Sequence, residues 1–204
     1  MTKPILAAFD FDGTLTYGDS FFPFLRYLVG NVRYAQAMLI LSPVLLGYGL
    51  GLVKNHHAKA RVLAQFFTGQ EVQHIQQCAR DFAQYQLPHR INPVALARLR
   101  WHQQHGHRCI IVSASLECYL RPWAASVGVD EVIGSRLGIA DEVYTGDLAL
   151  PNCYGMEKSR RLTDLLGERE AYTLYAYGDS KGDRELLAMA DFAYYREMPE
   201  SQTG

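Results

Sequence analysis

The chain lacks the usual marks of nucleic-acid-binding proteins and of disulfide-rich secreted proteins. Its net charge at pH 7 is −1 and it contains no long run of lysine or arginine, so we expect no nucleic-acid partner. It has only four cysteines in 204 residues, at positions 78, 109, 118 and 153, and no CxxC pair. Without the paired spacing of disulfide frameworks and zinc sites, these cysteines favour a reducing, cytoplasmic setting.

The N-terminus also lacks the apolar core of a secretory signal peptide, because Asp10 interrupts an apolar run of only a few residues. Hydrophobic residues make up 49% of the chain and charged residues 20%, which is typical of a well-packed globular protein. The length suits one large domain, or a core with a smaller second unit.

One stretch departs from this soluble pattern. Residues 35–53, AQAMLILSPVLLGYGLGLV, contain no charged side chain, and a stretch of this length could cross a bilayer. It also contains Pro43 and three glycines, and Arg33 and Lys54 flank it. The main interpretation is two packed helices with a break near Ser42-Pro43, and the alternative is membrane contact or insertion through residues 35–53.

Apolar strand patterns alternate with helical patterns along most of the chain. Short apolar runs bounded by turn residues predict strands at 5–11, 108–115, 171–180 and 191–197. Strand and helix in alternation indicate an α/β fold with a parallel sheet. We therefore predict a Rossmann-like, doubly wound parallel sheet.

Residues 20–87 have mostly helical patterns, and this block is too long for a simple crossover between strands. It is best explained as an insertion that covers the edge of the sheet. The predicted division is an α/β core at residues 1–16 and 90–204, with an inserted α-helical cap at residues 17–89.

Several predicted strands end in polar side chains. The first ends at Asp10 and Asp12, the second at Ser113, and a later one at Asp179, with Asp183 four residues on. Ligands of doubly wound sheets bind beyond the carboxyl ends of the strands, so these side chains should converge. Carboxylates gathered in a small volume need a cation to offset their repulsion. Oxygen ligands of this kind suit Mg2+, which also binds water and phosphate oxygens.

Groups that bind phosphate accompany these carboxylates: the Ser113 hydroxyl, the Lys158 charge and the backbone N–H groups of Gly13 and Thr14. A carboxylate beside a phosphoryl group can attack phosphorus to form an aspartyl-phosphate. A second carboxyl can protonate the leaving oxygen and then deprotonate the attacking water. The residues therefore predict Mg2+-dependent chemistry on phosphate esters.

Four segments resemble, in the family's order, the motifs of haloacid-dehalogenase-like hydrolases: DFDGTLT, IIVSAS, GMEKSRRL and YGDSKGDRELL. The resemblance spans nearly the whole chain. The helical insertion after the first motif and the segment YTGDLALPNCYGMEK are similar to the phosphoserine-phosphatase-like subgroup. This resemblance implies a phosphatase that acts through an aspartyl-phosphate.

The resemblance also implies a role for each matching residue. Asp10 would be the nucleophile and a Mg2+ ligand, and Asp12 the general acid and base that gives the metal its backbone carbonyl. Asp179 would bind the metal, and Asp183 would bind it or orient its water. The residues that would hold the substrate are Gly13, Thr14, Asp19, Ser113, Ala114 and Lys158.

Four positions depart from phosphoserine phosphatases. Asp19 stands where those enzymes have a Glu that holds the substrate amine, Ala114-Ser115 replaces Gly-Gly, and Gly182 replaces an Asn. These differences leave the phosphoryl chemistry in place and put phosphoserine in question as the substrate. Asp19 either contacts substrate or caps the next helix, and Ser115 is the better candidate than Ser113 to cap the helix at LECYL.

The expected function is a Mg2+-dependent phosphomonoester hydrolase for a small phosphorylated metabolite or a phospholipid-type phosphate. A cap rich in Leu, Tyr and Phe favours a substrate with an apolar part. A phosphotransferase or phosphomutase with the same intermediate remains an alternative, as does a membrane-associated binding protein that uses residues 35–53. The motifs do not indicate an oligomeric state.

Overall fold

The computed structural model describes residues 3–199, in which strands and helices alternate after a long helical insertion. The strands are β1 (Ile5–Phe9), β2 (Arg108–Leu116), β3 (Glu131–Ser135), β4 (Leu137–Ala140), β5 (Val143–Leu148), β6 (Thr173–Gly178) and β7 (Phe192–Tyr195). The α-helices are α1 (Phe21–Gly49), α2 (Asn55–Phe67), α3 (Val72–Tyr85), α4 (Pro93–Gln104), α5 (Glu117–Ser126), α6 (Met156–Leu166) and α7 (Arg184–Ala188).

Five strands form one parallel sheet in the order β3-β2-β1-β6-β7. Both faces of this sheet are buried, because Leu6 and Ala8 of β1 belong to one apolar cluster and Ala7 and Phe9 to the other. Burial on both faces explains why the core strands are almost continuously apolar in sequence. The predicted α/β fold with a doubly wound parallel sheet is confirmed.

Helices α1 to α3 form the insertion, and the chain leaves and re-enters the core at adjacent points. Thr16 and Ile91 form an antiparallel bridge, and the Tyr17 amide donates to the Arg90 carbonyl at 3.0 Å. The β4–β5 hairpin, within the range assigned to the core, lies against these helices, because the Gly69 amide donates to the Tyr144 carbonyl at 2.9 Å.

Helix α1 is interrupted at Gly30, not at Ser42-Pro43, so the predicted position of the break is wrong. Gly30 has φ +78° and ψ 167°, a conformation that is accessible almost only to glycine. The helix continues through Pro43, which has no N–H for the Leu39 carbonyl. The Ser42 hydroxyl donates to that carbonyl at 2.7 Å, which compensates for the missing bond.

The length and composition of α1 are sufficient for a membrane span, and only 11% of its apolar 18-residue window is buried. The helix nevertheless belongs to the folded cap. Ala37 and Leu41 are buried in the main apolar cluster, so one side of α1 packs on the cap and the other is exposed.

Replacement of Gly30 by Ala tests the backbone break. We expect Gly30→Ala to lower the free energy of unfolding by about 1–3 kcal/mol, since the side chain is strained at this φ and ψ. The matched control is Gly49→Ala in the last turn of α1, where an added Cβ meets nothing within 4 Å. That change should leave stability unchanged or raise it by up to about 1 kcal/mol. Urea denaturation measures both, and equal effects would contradict the assigned break.

Candidate active site

The turn after β1 brings two carboxylates to the carboxyl end of the central strand of the sheet. The Asp10 amide donates to the Tyr177 carbonyl of β6 at 2.9 Å, and the Thr16 amide closes the turn on the Phe11 carbonyl at 2.9 Å. Gly13 has φ +79°, and a Cβ at this position would overlap the Asp179 carboxylate. A glycine is therefore required for the turn to approach Asp179 so closely.

Three predicted metal ligands meet at the carboxyl ends of β1 and β6. Asp10, Asp179 and Asp183 each offer a carboxylate oxygen, and these oxygens lie within 4.8 Å of one another. Lys158 is buried beside them, with Nζ 2.8 Å from Asp10 Oδ1 and 2.5 Å from Asp183 Oδ1. One lysine does not balance three carboxylates, so the donor set and the excess negative charge fit a divalent cation bound by oxygen.

Burial and charge affect these groups in different ways. Burial raises the pKa of Asp10 to about 6, although the nearby Lys158 ammonium opposes the rise. Burial also raises the pKa of Asp179. For Lys158, burial disfavours the charge, but the Asp10 and Asp183 carboxylates outweigh it and hold the pKa above its usual value.

Both carboxylate oxygens of Asp183 have partners within the protein. Burial acts to raise its pKa, but the charge of Lys158 and hydrogen bonds from Lys158 and Ser180 hold it below the usual value. One carboxylate oxygen pairs with Lys158. The other accepts from the Ser180 amide at 3.0 Å and the Ser180 hydroxyl at 2.7 Å. Asp183 therefore holds both Lys158 and the turn that carries Asp179.

The Asp12 side chain has a separate environment. Its Oδ1 accepts from the Ser20 amide at 3.0 Å, and its Oδ2 accepts from the Ser115 hydroxyl at 2.5 Å. Burial, with a smaller contribution from Asp19, raises the pKa of Asp12 to about 7. The prediction that Ser115 caps α5 is wrong, because no side chain caps the helix at Leu116. Ser115 positions Asp12 instead.

The predicted phosphoryl-binding residues surround the same turn. Thr14 is buried, and its hydroxyl lies 3.4 Å from Asp179 Oδ1. Ser113 is also buried, and its hydroxyl accepts from the Ser115 amide at 3.2 Å. Ser113 does not end β2 as predicted, because the strand continues to Leu116 and its pairing with β3 is irregular beyond Val112. This irregularity carries Ser113 and the residues after it toward the site.

A cavity of about 500 Å³ lies between the cap and the core, beside Asp12. Its cap side is largely apolar and includes Phe21, Phe22, Leu45 and Tyr48. Asp19 also lines the cavity, and its Oδ2 accepts from the Phe22 amide at 2.9 Å. Asp19 therefore satisfies the start of α1 and is placed to meet a ligand in the cavity.

Lys59 also lies at the site, although it is not among the predicted substrate and metal ligands. It extends from α2 to the core, where its Nζ donates to the Ala114 carbonyl at 2.5 Å, to Asn152 Oδ1 at 2.6 Å and to Ser135 Oγ at 3.3 Å. Burial lowers its pKa to about 8. Nothing in the sequence distinguishes Lys59 from its basic neighbours, because its partners are distant in the chain. Its contacts connect the cap to the core at the cavity wall.

Gly182, one of the departures from phosphoserine phosphatases, has a local explanation. A Cβ at this position would overlap the ring of Tyr154. Tyr154 also lines the cavity. An aromatic ring therefore occupies the space that a longer side chain at position 182 would need.

Comparisons with known proteins agree with this geometry and confirm the predicted family. The family model of haloacid dehalogenase-like hydrolases matches residues 7–188, which include the four motifs. The chain is 39% identical over 195 residues to protein CicA of Caulobacter vibrioides, covering 95% of this chain and 86% of that protein.

Solved structures share the fold. A protein of unknown function from Bordetella pertussis has a TM-score of 0.79 at 22% identity, covering 92% of this chain and 87% of its own. A substrate-bound phosphoserine phosphatase has a TM-score of 0.60 at 17% identity, covering 93% and 83%. With the family match and the arrangement of the four motifs, the chain belongs to the haloacid dehalogenase-like hydrolases.

Proposed function

We propose that this hydrolase is a Mg2+-dependent phosphatase that cleaves phosphomonoesters through an aspartyl-phosphate on Asp10. The observation that carries this proposal is the contrast between the two carboxyls of one turn. Asp10 lies in the carboxylate cluster beside Lys158, whereas Asp12 lines the cavity with a pKa raised by burial to about 7. A nucleophile and a proton donor need such different environments.

The carboxylates of Asp10, Asp179 and Asp183 would hold the metal, since together they present oxygen donors and a negative charge that Lys158 does not balance. Bound there, Mg2+ would offset the charge of the phosphoryl group. Lys158 would contribute a second positive charge on the Asp10 side. Thr14, Ser113 and the turn at Gly13 would hold the phosphoryl oxygens.

The reaction then proceeds in two displacements. An Asp10 carboxylate oxygen attacks phosphorus, the bond from phosphorus to the leaving oxygen breaks, and Asp12 gives its proton to that oxygen. In the second step Asp12 takes a proton from water, and the water oxygen attacks the phosphorus. The acyl-phosphate bond breaks, which releases inorganic phosphate and restores the Asp10 carboxylate.

The cavity supports a substrate whose leaving group has an apolar part. Asp12 lines the core side of the cavity, whereas Phe21, Phe22 and Leu45 line its cap side. A small phosphorylated metabolite and a phospholipid-type phosphate both meet this description. The four cysteines are free thiols, which supports action in the reducing cytoplasm.

Substitution of Asp10 by Asn tests the nucleophile. With p-nitrophenyl phosphate and Mg2+, we expect the wild type to release phosphate, and EDTA should abolish this release. Asp10→Asn should lower the rate of release by about 10³-fold or more. The control is Asp164→Asn on α6, where the side chain is 61% exposed, and it should retain full activity. Undiminished release by Asp10→Asn would exclude the mechanism. Added alcohol acceptors separate hydrolysis from phosphoryl transfer, because transfer yields a new phosphate ester.

Substitution of Asp12 by Asn tests the general acid. A nitrophenolate leaves without a proton, so Asp12→Asn should still release a burst of about one nitrophenolate per enzyme. Turnover after the burst should be slow, because the second step lacks its base. With glycerol phosphate, whose alkoxide needs a proton, the first step itself should slow by about 10²–10⁴-fold. Stopped-flow measurement checks both, and equal slowing of the two first steps would contradict the assignment.

Binding of Mg2+ is tested without turnover. We expect saturating Mg2+ to stabilise the wild type by about 2–3 kcal/mol at a hundredfold excess over its Kd, measured as a rise in Tm. Asp179→Asn should lose this rise, and its Tm without Mg2+ should equal or exceed that of the wild type, since one repelling charge is gone. Asp164→Asn is again the control. An undiminished Mg2+ response in Asp179→Asn would place the metal elsewhere.

A further inference from the structure

The second part of α1, after Gly30, carries an apolar stripe on its exposed side. Val32, Leu39, Leu46 and Leu50 are 71%, 75%, 67% and 75% exposed. Their spacing of seven, seven and four residues places them on one side of a helix, and exposed Pro43 lies in the same line. At 1.5 Å per residue the stripe is about 27 Å long. A continuous exposed stripe of this size is typical of a docking surface.

The opposite side of the same helix holds the cap together. Ala37 and Leu41 are 6% and 4% exposed, and the ring of Tyr34 lies 6.2 Å from that of Phe66 in α2. If α1 left the cap to span a membrane, this packing would be lost. The structure therefore fits a helix that lies along a surface, with one face in the protein and the other on the partner.

Within the segment that carries the stripe, the charged side chains are of one sign. Residues 20–70 contain five Lys or Arg and no Asp or Glu, in a chain whose net charge is −1. Arg33 and Lys54 lie at the two ends of the uncharged segment, and Arg61 lies on the neighbouring helix; all three are exposed. An apolar stripe bordered by basic side chains complements an anionic lipid surface. Two copies of this face would repel each other, which disfavours a second copy as the partner.

We propose that the apolar stripe and its basic border dock the protein on an anionic lipid surface, in the plane of the headgroups. Leu50 and Leu52, which is 79% exposed, would enter the acyl boundary beside Lys54. Leu45 and Tyr48 of the same helix line the cavity beside Asp12. The helix that would dock is therefore also part of the cavity wall. The proposal concerns binding alone and does not depend on the phosphatase mechanism.

Sedimentation with vesicles tests the proposal on the full chain. The vesicles contain either phosphatidylcholine alone or an equal mixture with phosphatidylglycerol. We expect the wild type to bind the mixed vesicles, and this binding should weaken as salt is added. The double variant Leu39→Glu/Leu46→Glu should lower the affinity for these vesicles by about tenfold or more. The matched control is Val94→Glu/Leu165→Glu, which places the same charges at exposed apolar positions on α4 and α6. It should bind as the wild type does.

Other outcomes decide against the proposal. No binding to mixed vesicles, or equal loss in both double variants, would overturn it. Equal binding to phosphatidylcholine alone would remove the role of the basic border. Self-association that Leu39→Glu/Leu46→Glu abolishes, without vesicle binding, would assign the stripe to a second copy. Asp10→Asn should bind vesicles as the wild type does, so loss of activity and loss of docking are measured separately.

Discussion

The repulsion among three carboxylates, of which two are buried and one is half-buried, is the constraint on which the rest of the site depends. Asp10, Asp179 and Asp183 come from the ends of two neighbouring strands and the turn that follows one of them, and Lys158 contacts only two of them. Buried like charges are costly unless cations and hydrogen bonds offset them. The lysine is held in place because α6 begins beside that turn, where the Gly155 amide donates to the Gly182 carbonyl at 3.0 Å. The excess negative charge that remains suits a divalent cation bound by oxygen ligands.

The turn after β1 separates two carboxyls that are neighbours in sequence. Asp10 faces the charged cluster, whereas Asp12 is bound by Ser20 from the start of the cap segment and by Ser115 from the core. The proposed proton donor is thus positioned jointly by both parts of the protein. Lys59 makes a second connection of the same kind across the cavity wall. The geometry of the acid therefore depends on how the cap sits on the core.

Helix α1 serves both the cavity and the outer surface. Its inner side provides Leu45 and Tyr48 to the cavity, and its outer side carries the apolar stripe. The break at Gly30 lets the chain start the helix beside Asp19, close to where the chain leaves the core, and then redirect it across the cap. Without that break, one straight helix could not follow both directions.

The sequence by itself determined the family and the α/β class and predicted the residues of the proposed phosphoryl site, because each motif combines short-range backbone requirements with side-chain chemistry. Asp10, Gly13, Thr14 and Asp179 belong to motifs of this kind. The tertiary structure decided what depends on contacts between distant residues. Ser115 binds Asp12 rather than capping α5, because the irregular end of β2 turns it toward the site.

Two other features were also beyond the reach of the sequence. Lys59 joins the cavity wall through partners 55 to 93 positions away. Helix α1 passes through Pro43 because Ser42 satisfies the free carbonyl, and it breaks instead where Gly30 alone permits the backbone angles. Composition revealed that residues 35–53 are apolar and uncharged. Only packing decided which side of that helix is buried in the cap and which is left exposed, since burial is a property of the partners that a segment meets.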